Sequence, residues 1–171
     1  MILRGEKILL RYVQISDLHH ILLWENSPEN ESVNYFKEKI SYDTILDWLV
    51  NLKNDLNAEK QLRFIMESTG TAKVVGSIDL FEFDDVQCSV GVGLIVEPEY
   101  RKMGFATEAL NLLVKYSFNH LKVRRIWCNI MAGNRNSVKL FFKAGFKLNS
   151  ERPTINDCRD LLFLTLDGEI S

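Results

Sequence analysis

Residues 93–106, GLIVEPEYRKMGFA, join an apolar run to a helix-like pattern within a few positions. The run that ends at Val96 has the composition of a buried strand, and from Gly104 onward apolar residues recur at helical spacing. A strand that leads directly into a helix at the centre of a chain predicts an α/β layer fold.

The turn between these two elements has the features of an anion site. The first backbone N–H groups of a helix have no internal partner, and the helix dipole adds positive potential there. Gly104 and the small Ala106 let a ligand approach the backbone, while Arg101 and Lys102 add mobile positive charge. The pattern suits a pyrophosphate, but it lacks the Lys-Ser/Thr end of a nucleotide P-loop and the second glycine pair of a dinucleotide fingerprint.

Outward from this turn, hydrophobic periodicity divides the chain into alternating elements. Strands are expected at 7–13, 62–68, 73–83, 87–96, 124–131 and 160–167, and helices from Asp17, at 43–56 behind a capping Asp43, from Gly104 and at 136–144. No repeat or linker interrupts them, so residues 1–171 are expected to form one domain. The predicted fold class is α/β, with a mixed, mostly antiparallel sheet of about seven strands flanked by about four helices.

Composition excludes several classes of protein. The chain is 46% hydrophobic and 26% charged with a net charge of −2, as in an ordinary soluble domain. No apolar stretch is long enough for a membrane span, and charged residues interrupt the N-terminus where an export signal would be apolar. Three widely spaced cysteines suit neither a disulfide framework nor a zinc site, and the histidines have no partner motif. A cytoplasmic protein without a metal is therefore expected.

Charge is distributed unevenly along the chain. Residues 1–86 hold 9 basic and 15 acidic side chains, whereas 87–171 hold 12 and 8, and 101–147 hold ten Lys and Arg against Glu108 alone. Such a field favours a polyanionic ligand, although a solvated basic face explains it equally well. Nucleic acid is disfavoured, because the sequence pI is about 5.9 and aromatic residues do not alternate with the basic ones.

Four motifs in chain order strengthen the interpretation of the turn. They are Leu10-Arg11 with Asp17-Leu18, Pro98-Glu99-Tyr100-Arg101, Gly104-Phe105-Ala106-Thr107, and Asn134-x-x-Ser137 with Lys143-Ala144-Gly145-Phe146. Together they resemble the GNAT superfamily of acyl-CoA N-acyltransferases, whose signature [RQ]-x-x-G-x-[GA] follows the fourth strand. The resemblance covers residues 7 to 167. The spacing is similar to the branch that holds ribosomal-protein N-terminal acetyltransferases and spermidine/spermine N-acetyltransferases.

The resemblance implies acetyl-CoA as co-substrate. Main-chain groups of strand residues 94–96 would pair with the pantetheine arm, with one N–H facing the thioester carbonyl as an oxyanion hole, and Asn134 would hydrogen-bond the pantetheine. Arg135, Lys139 and Lys143 share one helical face, which either is solvated or lies near the 3′-phosphate. The implied cofactor-binding residues are Leu94, Ile95, Val96, Arg101, Lys102, Met103, Gly104, Phe105, Ala106, Thr107, Asn134, Ser137 and Lys143.

Two positions depart from the family pattern. The family often supplies an acid for the departing thiolate as a Tyr, and that position holds Phe141. The Glu that many relatives carry on the strand before the oxyanion residue matches Gly91. Asp79 and Glu82 are therefore the candidate catalytic carboxylates, and at most one is expected to face the cleft, because their strand parity differs. Glu82 also matches a position that helps bind polyamine in spermidine-acetylating relatives, and either residue can equally be a solvated carboxylate near a turn.

The first hypothesis for function is an acetyl-CoA-dependent N-acetyltransferase that moves the acetyl group directly from the thioester to a primary amine. Glu29, Glu31 and Glu38 beside Tyr35-Phe36 favour a small cationic acceptor such as a polyamine. A protein N-terminus or other peptide amine, an amino sugar and an aminoglycoside stay open as acceptors, as does an acyl-CoA-binding module without turnover. No nucleic acid and no membrane partner is expected, and the resemblance leaves a homo-oligomer open.

Overall fold

The computed structural model of the protein describes residues 2–28, 38–150 and 160–168. Within them, eight strands form one sheet: β1 (Ile2–Arg4), β2 (Ile8–Tyr12), β3 (Leu62–Ser68), β4 (Val74–Asp84), β5 (Ser89–Val96), β6 (Arg125–Met131), β7 (Lys147–Leu148) and β8 (Leu161–Asp167). The described helices are α1 (Leu18–Glu25), α2 (Tyr42–Asn51), α3 (Leu56–Glu59), α4 (Phe105–Asn119) and α5 (Arg135–Lys143), with 3-10 turns at Ile15–Asp17 and Pro98–Tyr100. None of these described helices is long and apolar enough to cross a membrane.

The strands follow the order β1-β2-β3-β4-β5-β6-β8-β7 across the sheet. Every described neighbouring pair is antiparallel except β5 and β6. That pair is parallel because α4 connects the two strands and returns the chain to the same end of the sheet. The predicted mixed, mostly antiparallel α/β sheet is confirmed.

Helices cover both faces of the sheet. On one face α4 and α5 pack over a core that includes Phe64, Leu110 and Phe146, each at most 1% exposed. On the other face α1 and α2 pack in a smaller core around Ile21 and Ile65. Strand geometry explains the two cores, since neighbouring residues of β3 such as Phe64 and Ile65 point to opposite faces.

The structure adds β1 to the predicted strands and corrects two expectations about the helix at 43–56. β1 was not predicted, because its three residues are too few to show a hydrophobic period. The helix expected over 43–56 is interrupted: α2 ends at Asn51, and α3 forms a separate turn. Ser41 rather than Asp43 caps α2, since the Ser41 hydroxyl accepts the Thr44 N–H at 3.2 Å.

Candidate active site

β5 and β6 are paired only where both strands begin. The parallel ladder runs from Ser89 opposite Arg125 to Gly91 opposite Trp127, and among the described residues it continues no further. β5 stays paired with β4 as far as Val96, whereas β6 stays paired with β8. The two strands therefore separate, and main-chain groups of β5 that point toward β6 are left for a ligand.

The turn after β5 places a helix start beside this gap. Gly104 is the N-cap of α4 and has a φ of +87°, a left-handed conformation that favours glycine. The first intrahelical bond runs from the Glu108 N–H to the Gly104 carbonyl at 3.1 Å. The N–H groups of Phe105, Ala106 and Thr107 precede that bond and project from the start of the helix, where the dipole favours an anion.

Arg101 is tied to the end of β5. Its Nε donates to the carbonyl of Val96 at 3.1 Å, and its backbone N–H donates to the carbonyl of Pro98 at 3.3 Å. The expectation of a mobile charge at Arg101 is corrected, because these bonds hold its stem against the strand. Lys102, with a φ of +63°, is exposed at the edge of the turn.

The start of α5 forms the opposite wall of the gap. The Asn134 side-chain oxygen accepts the Ser137 N–H at 3.2 Å, so Asn134 caps α5. Lys139 and Lys143, one helical turn apart, both line the gap. Arg135, the third member of the predicted basic face, is exposed and lies outside the lining found in the described residues.

These elements enclose an open cleft of about 1310 Å³. All of the predicted cofactor-binding residues except Met103 line this cleft. Met103 is 51% exposed, and its carbonyl accepts a hydrogen bond from Lys7 at 3.1 Å. The structure thus brings together residues from β5, the following turn and α5, from Leu94 to Lys143, that are distant in the sequence.

Further lining residues were not assigned from the sequence. They are Pro28, Tyr100, Met131, Ala132, Gly133, Asn136, Leu140 and Asp160. Residues 131–133 directly precede Asn134 at the carboxyl end of β6, and α/β folds place ligands at such strand ends, so position along the chain could have indicated them. Pro28 and Asp160 come from distant segments and carry no local signal.

On the α1–α2 face of the sheet, Arg63 joins three elements. Its guanidinium donates to both carboxylate oxygens of Asp79 at 2.7 to 3.0 Å and to Glu25 of α1 at 2.9 Å. It also lies 5.7 Å from the centre of the Trp48 ring of α2. Burial raises the pKa of Asp79 above its usual range, and the Arg63 guanidinium opposes that rise. The hydrogen-bond geometry shows that the Asp79 carboxylate forms an ion pair with the Arg63 guanidinium.

Glu82 lies at an irregular point of β4. The register with β5 shifts between Phe81 and Asp84, and Glu82 is exposed there with a φ of +48°. In the part of the chain that the structure describes, neither Asp79 nor Glu82 lines the cleft. A catalytic role for either residue stays a prediction.

Aromatic rings fill the space around the two departures from the family pattern. A Cβ at Gly91 would lie 2.6 Å from the Phe81 ring, which packs edge-on against Trp127 with 5.1 Å between ring centres. Phe141 is 3% exposed and packs edge-on against Phe146 at 5.0 Å. The structure therefore has a ring where a Glu at position 91 would extend, and it buries position 141 in the core.

Residues 7–147 match the family model described as an acetyltransferase (GNAT) domain. The chain belongs to the GNAT acetyltransferase family. The match includes β5, the turn, α4 and α5, so it spans all of the predicted cofactor-binding residues. The resemblance inferred from the four motifs is confirmed.

Relatives and solved structures agree with this GNAT assignment. Spermidine N(1)-acetyltransferase of Vibrio cholerae is 28% identical over 142 residues, which cover 83% of this chain and 80% of that protein. The structure of spermidine N-acetyltransferase from Vibrio cholerae in complex with CoA and spermine superposes with a TM-score of 0.75 at 23% identity, covering 95% of this chain and 96% of that one. A ribosomal-protein-serine acetyltransferase-like structure from Vibrio cholerae has a TM-score of 0.75 at 16% identity, covering 98% of each chain.

GNAT proteins use acetyl-CoA, and the cleft residues fit this co-substrate. The N–H groups of Phe105, Ala106 and Thr107 offer a cradle for a diphosphate, and Lys139 and Lys143 add positive charge on the facing wall. The separated edge of β5 offers main-chain partners for an extended amide-containing arm. Acetyl-CoA supplies the activated acetyl group, and these residues would hold and orient it.

Proposed function

We propose that this GNAT protein transfers the acetyl group of acetyl-CoA to a primary amine of a small cationic acceptor, such as a polyamine. The observation that carries the proposal is the separation of β5 from β6 immediately before a helix start with free N–H groups. A thioester arm laid along β5 would bring its carbonyl to main-chain N–H groups of residues 94–96, which would stabilise the developing oxyanion.

The acceptor would approach from the α1–α2 face of the gap, which we call the acceptor face. It is formed by α1, α2 and the strand residues Arg63, Asp79, Phe81, Gly91 and Gly93. The amine must be neutral when it attacks. Asp79 and Glu82 are the carboxylates proposed to accept its proton. Because Asp79 is paired with Arg63, that role requires the amine to compete with a guanidinium for the Asp79 carboxylate.

Charge and similarity support a cationic acceptor. Residues 1–86 carry a net charge of −6 from 9 basic and 15 acidic side chains, and Glu38 is exposed in front of α2. Glu29, Glu31, Tyr35 and Phe36, which support the same proposal, lie outside the described residues. Two curated relatives act on spermidine, at 28% and 24% identity. A peptide N-terminus, an amino sugar and an aminoglycoside are the alternative acceptors.

A second candidate function is an acyl-CoA-binding module without turnover. The burial of Phe141 against Phe146 and the Phe81 ring over Gly91 favour it, because neither position provides a group that can move a proton. This candidate predicts co-substrate binding without thiol release.

We also propose a cytoplasmic homo-oligomer. The free thiols of Cys88 and Cys128 suit a reducing compartment. One solved relative is a dodecameric spermidine N-acetyltransferase. Light scattering coupled to size exclusion tests the assembly, and a monomer at micromolar concentration contradicts it.

The deciding experiment measures thiol release from acetyl-CoA across a panel of polyamines, amino sugars, aminoglycosides and N-terminal peptides, alongside calorimetry of CoA. Turnover with polyamines supports the proposal, and turnover with another class moves the assignment to that acceptor. CoA binding without turnover on any amine supports the binding module. If acetylation occurs, Asp79→Asn and Glu82→Gln separate the two carboxylates. A general base is active only after it has lost its proton, so loss of the acidic limb of the pH-rate profile identifies the carboxylate that serves as the base.

A further inference from the structure

The hairpin turn between β1 and β2 is fastened to the first turn of α4 by Glu108. The Glu108 carboxylate accepts three hydrogen bonds. Their donors are the consecutive backbone N–H groups of Glu6, Lys7 and Ile8, at 2.7, 2.9 and 3.0 Å. A Cβ at Gly5 would lie 2.6 Å from the same carboxyl group, so the turn packs directly against the Glu108 side chain. Charge-assisted hydrogen bonds of this kind fix the hairpin relative to α4.

This attachment places the Lys7 side chain against the turn that leads into α4. Its Nζ donates to the carbonyl of Met103 at 3.1 Å. The same atom lies 3.1 Å from where a Cβ of Gly104 would be, and the Lys7 Cδ and Cε are within about 4 Å of that point. The side of Gly104 that lacks a side chain is thus occupied by Lys7, while Gly104 also lines the cleft.

The hydrogen bond at Met103 fixes the direction of the following N–H. In a trans peptide the carbonyl and the N–H point to opposite sides, and the described chain has no cis peptide bond. Because Lys7 holds the Met103 carbonyl on the hairpin side, the Gly104 N–H points away from the hairpin. A rotated peptide at this position would instead present a carbonyl oxygen to an incoming phosphate, which repels it.

We infer that Lys7 is a positioning residue for co-substrate binding: it holds the Met103–Gly104 peptide so that its N–H, with those of residues 105–107, faces the diphosphate of CoA. The inference rests on the proposed function, in which this turn binds the diphosphate. Lys7 lies outside the cleft lining in the described residues, so it acts through the peptide and not through contact with the ligand.

The test compares CoA affinity, measured by calorimetry, in the wild type, Lys7→Met and Lys7→Arg. Met keeps the length of the side chain and removes the donor, whereas Arg keeps both donor and charge. We expect Lys7→Met to weaken CoA binding by about 3- to 10-fold, the range for one lost hydrogen bond, and Lys7→Arg to restore most of the affinity. Lys115→Met, an exposed lysine later on α4, is the matched control for loss of one charge and should bind CoA as the wild type does.

Two further measurements distinguish positioning from simple attraction and from misfolding. At 1 M salt, where the Debye length is about 3 Å, the ratio of the CoA affinities of wild type and Lys7→Met should persist. Salt screens the attraction between charges, but it does not correct the orientation of a peptide. S-acetylpantetheine, which lacks the diphosphate, should serve as acetyl donor equally well for both proteins, because the diphosphate is the group affected.

Each alternative result overturns the inference. If the affinity ratio disappears at 1 M salt, Lys7 acts only by long-range attraction of its charge. If Lys7→Met loses as much activity with S-acetylpantetheine as with acetyl-CoA, the substitution disrupts the cleft as a whole. Unchanged CoA affinity in Lys7→Met refutes the role of the peptide while the proposed function stands. A wild type that does not bind CoA refutes both.

Discussion

The two faces of the β5–β6 gap are built from different kinds of group. The cleft proposed for the co-substrate is lined by residues 94–96 and 104–107, whose main-chain atoms are the proposed binding groups, and single local residues such as Gly104 and Asn134 set their geometry. The acceptor face uses side chains, in which Arg63 connects groups from three separate elements. The first face therefore depends on backbone conformation and the second on packing between elements. The same kind of substitution on each face should therefore affect CoA binding and stability differently.

Removal of Arg63 should give the largest effect, on stability. Arg63→Met leaves the carboxylates of Asp79 and Glu25 facing each other without a cation in a half-buried position, so we expect the free energy of unfolding to fall by about 3 kcal/mol. Urea denaturation measures the loss. The folded variant should bind CoA as the wild type does, because Arg63 lies on the acceptor face.

Arg125→Met is the matched control for Arg63→Met. Arg125 also makes a two-point contact with a carboxylate, Asp167, but the two side chains are 40% and 56% exposed. Its removal should cost less than about 1 kcal/mol. Equal losses for the two variants, or weaker CoA binding in Arg63→Met, would contradict the division between the faces.

A backbone change in the cleft should mainly weaken CoA binding, whereas Arg63→Met should mainly lower stability. Gly104→Val places a β-branched residue at a φ of +87°, with its Cβ about 3.1 Å from Lys7 Nζ, so the turn must rearrange. We expect CoA affinity by calorimetry to fall by about 100-fold, equivalent to about 2.8 kcal/mol.

Gly70→Val is the control for Gly104→Val. Gly70 is exposed in the turn between β3 and β4, outside the left-handed region, and nothing lies within 4 Å of its Cβ position. This variant should bind CoA normally. Wild-type affinity in Gly104→Val would mean that the turn does not hold the co-substrate.

The same division explains how much of the molecule the sequence predicted. The change from strand to helix at Gly104 and the cap at Asn134 are local patterns, so the cleft residues were predicted almost completely. The ion-pair cluster was not, because Arg63 lies 38 residues from Glu25 and 16 from Asp79, and no local pattern joins them. The sequence therefore predicts Asp79 as a catalytic carboxylate, and the structure adds its partner, Arg63.

Lys7 shows the same limit within the co-substrate cleft. The sequence explained Gly104 as a place where a ligand approaches the backbone. The structure adds a second reason, since Lys7 from the distant hairpin occupies the side-chain position of that glycine. Lys7 and Met103 are 96 residues apart, so no local motif predicts the contact between them.

Two glycines of β5 test the aromatic packing of the acceptor face. Gly91 and Gly93 point to the same face, but a Cβ would lie 2.6 Å from the Phe81 ring at Gly91 and 3.5 Å from it at Gly93. Gly91→Ala should therefore lower the free energy of unfolding by about 2 kcal/mol, since Trp127 on the other side keeps the ring from moving away.

Gly93→Ala provides the control, because 3.5 Å is an ordinary contact, and it should change stability by less than about 0.5 kcal/mol. In a Phe81→Ala background the difference between the two glycine variants should disappear. Urea denaturation of the single and double variants measures this coupling. A difference that survives without the ring would show that backbone strain, not Phe81, requires glycine at position 91.

The smallest expected effects come from two helix caps, one on each face. Asn134 caps α5 through the Ser137 N–H, and Ser41 caps α2 through the Thr44 N–H, each at 3.2 Å. Alanine at either position should cost about 1 kcal/mol of stability, the usual value of such a cap. Only Asn134→Ala should also weaken CoA binding, by about 3- to 10-fold, because Asn134 lines the cleft and fixes the start of its α5 wall. Equal stability losses with unequal CoA affinities would show that the Ser41 cap serves only the fold, whereas the Asn134 cap serves both the fold and ligand binding. Equal CoA affinities would remove Asn134 from the binding residues.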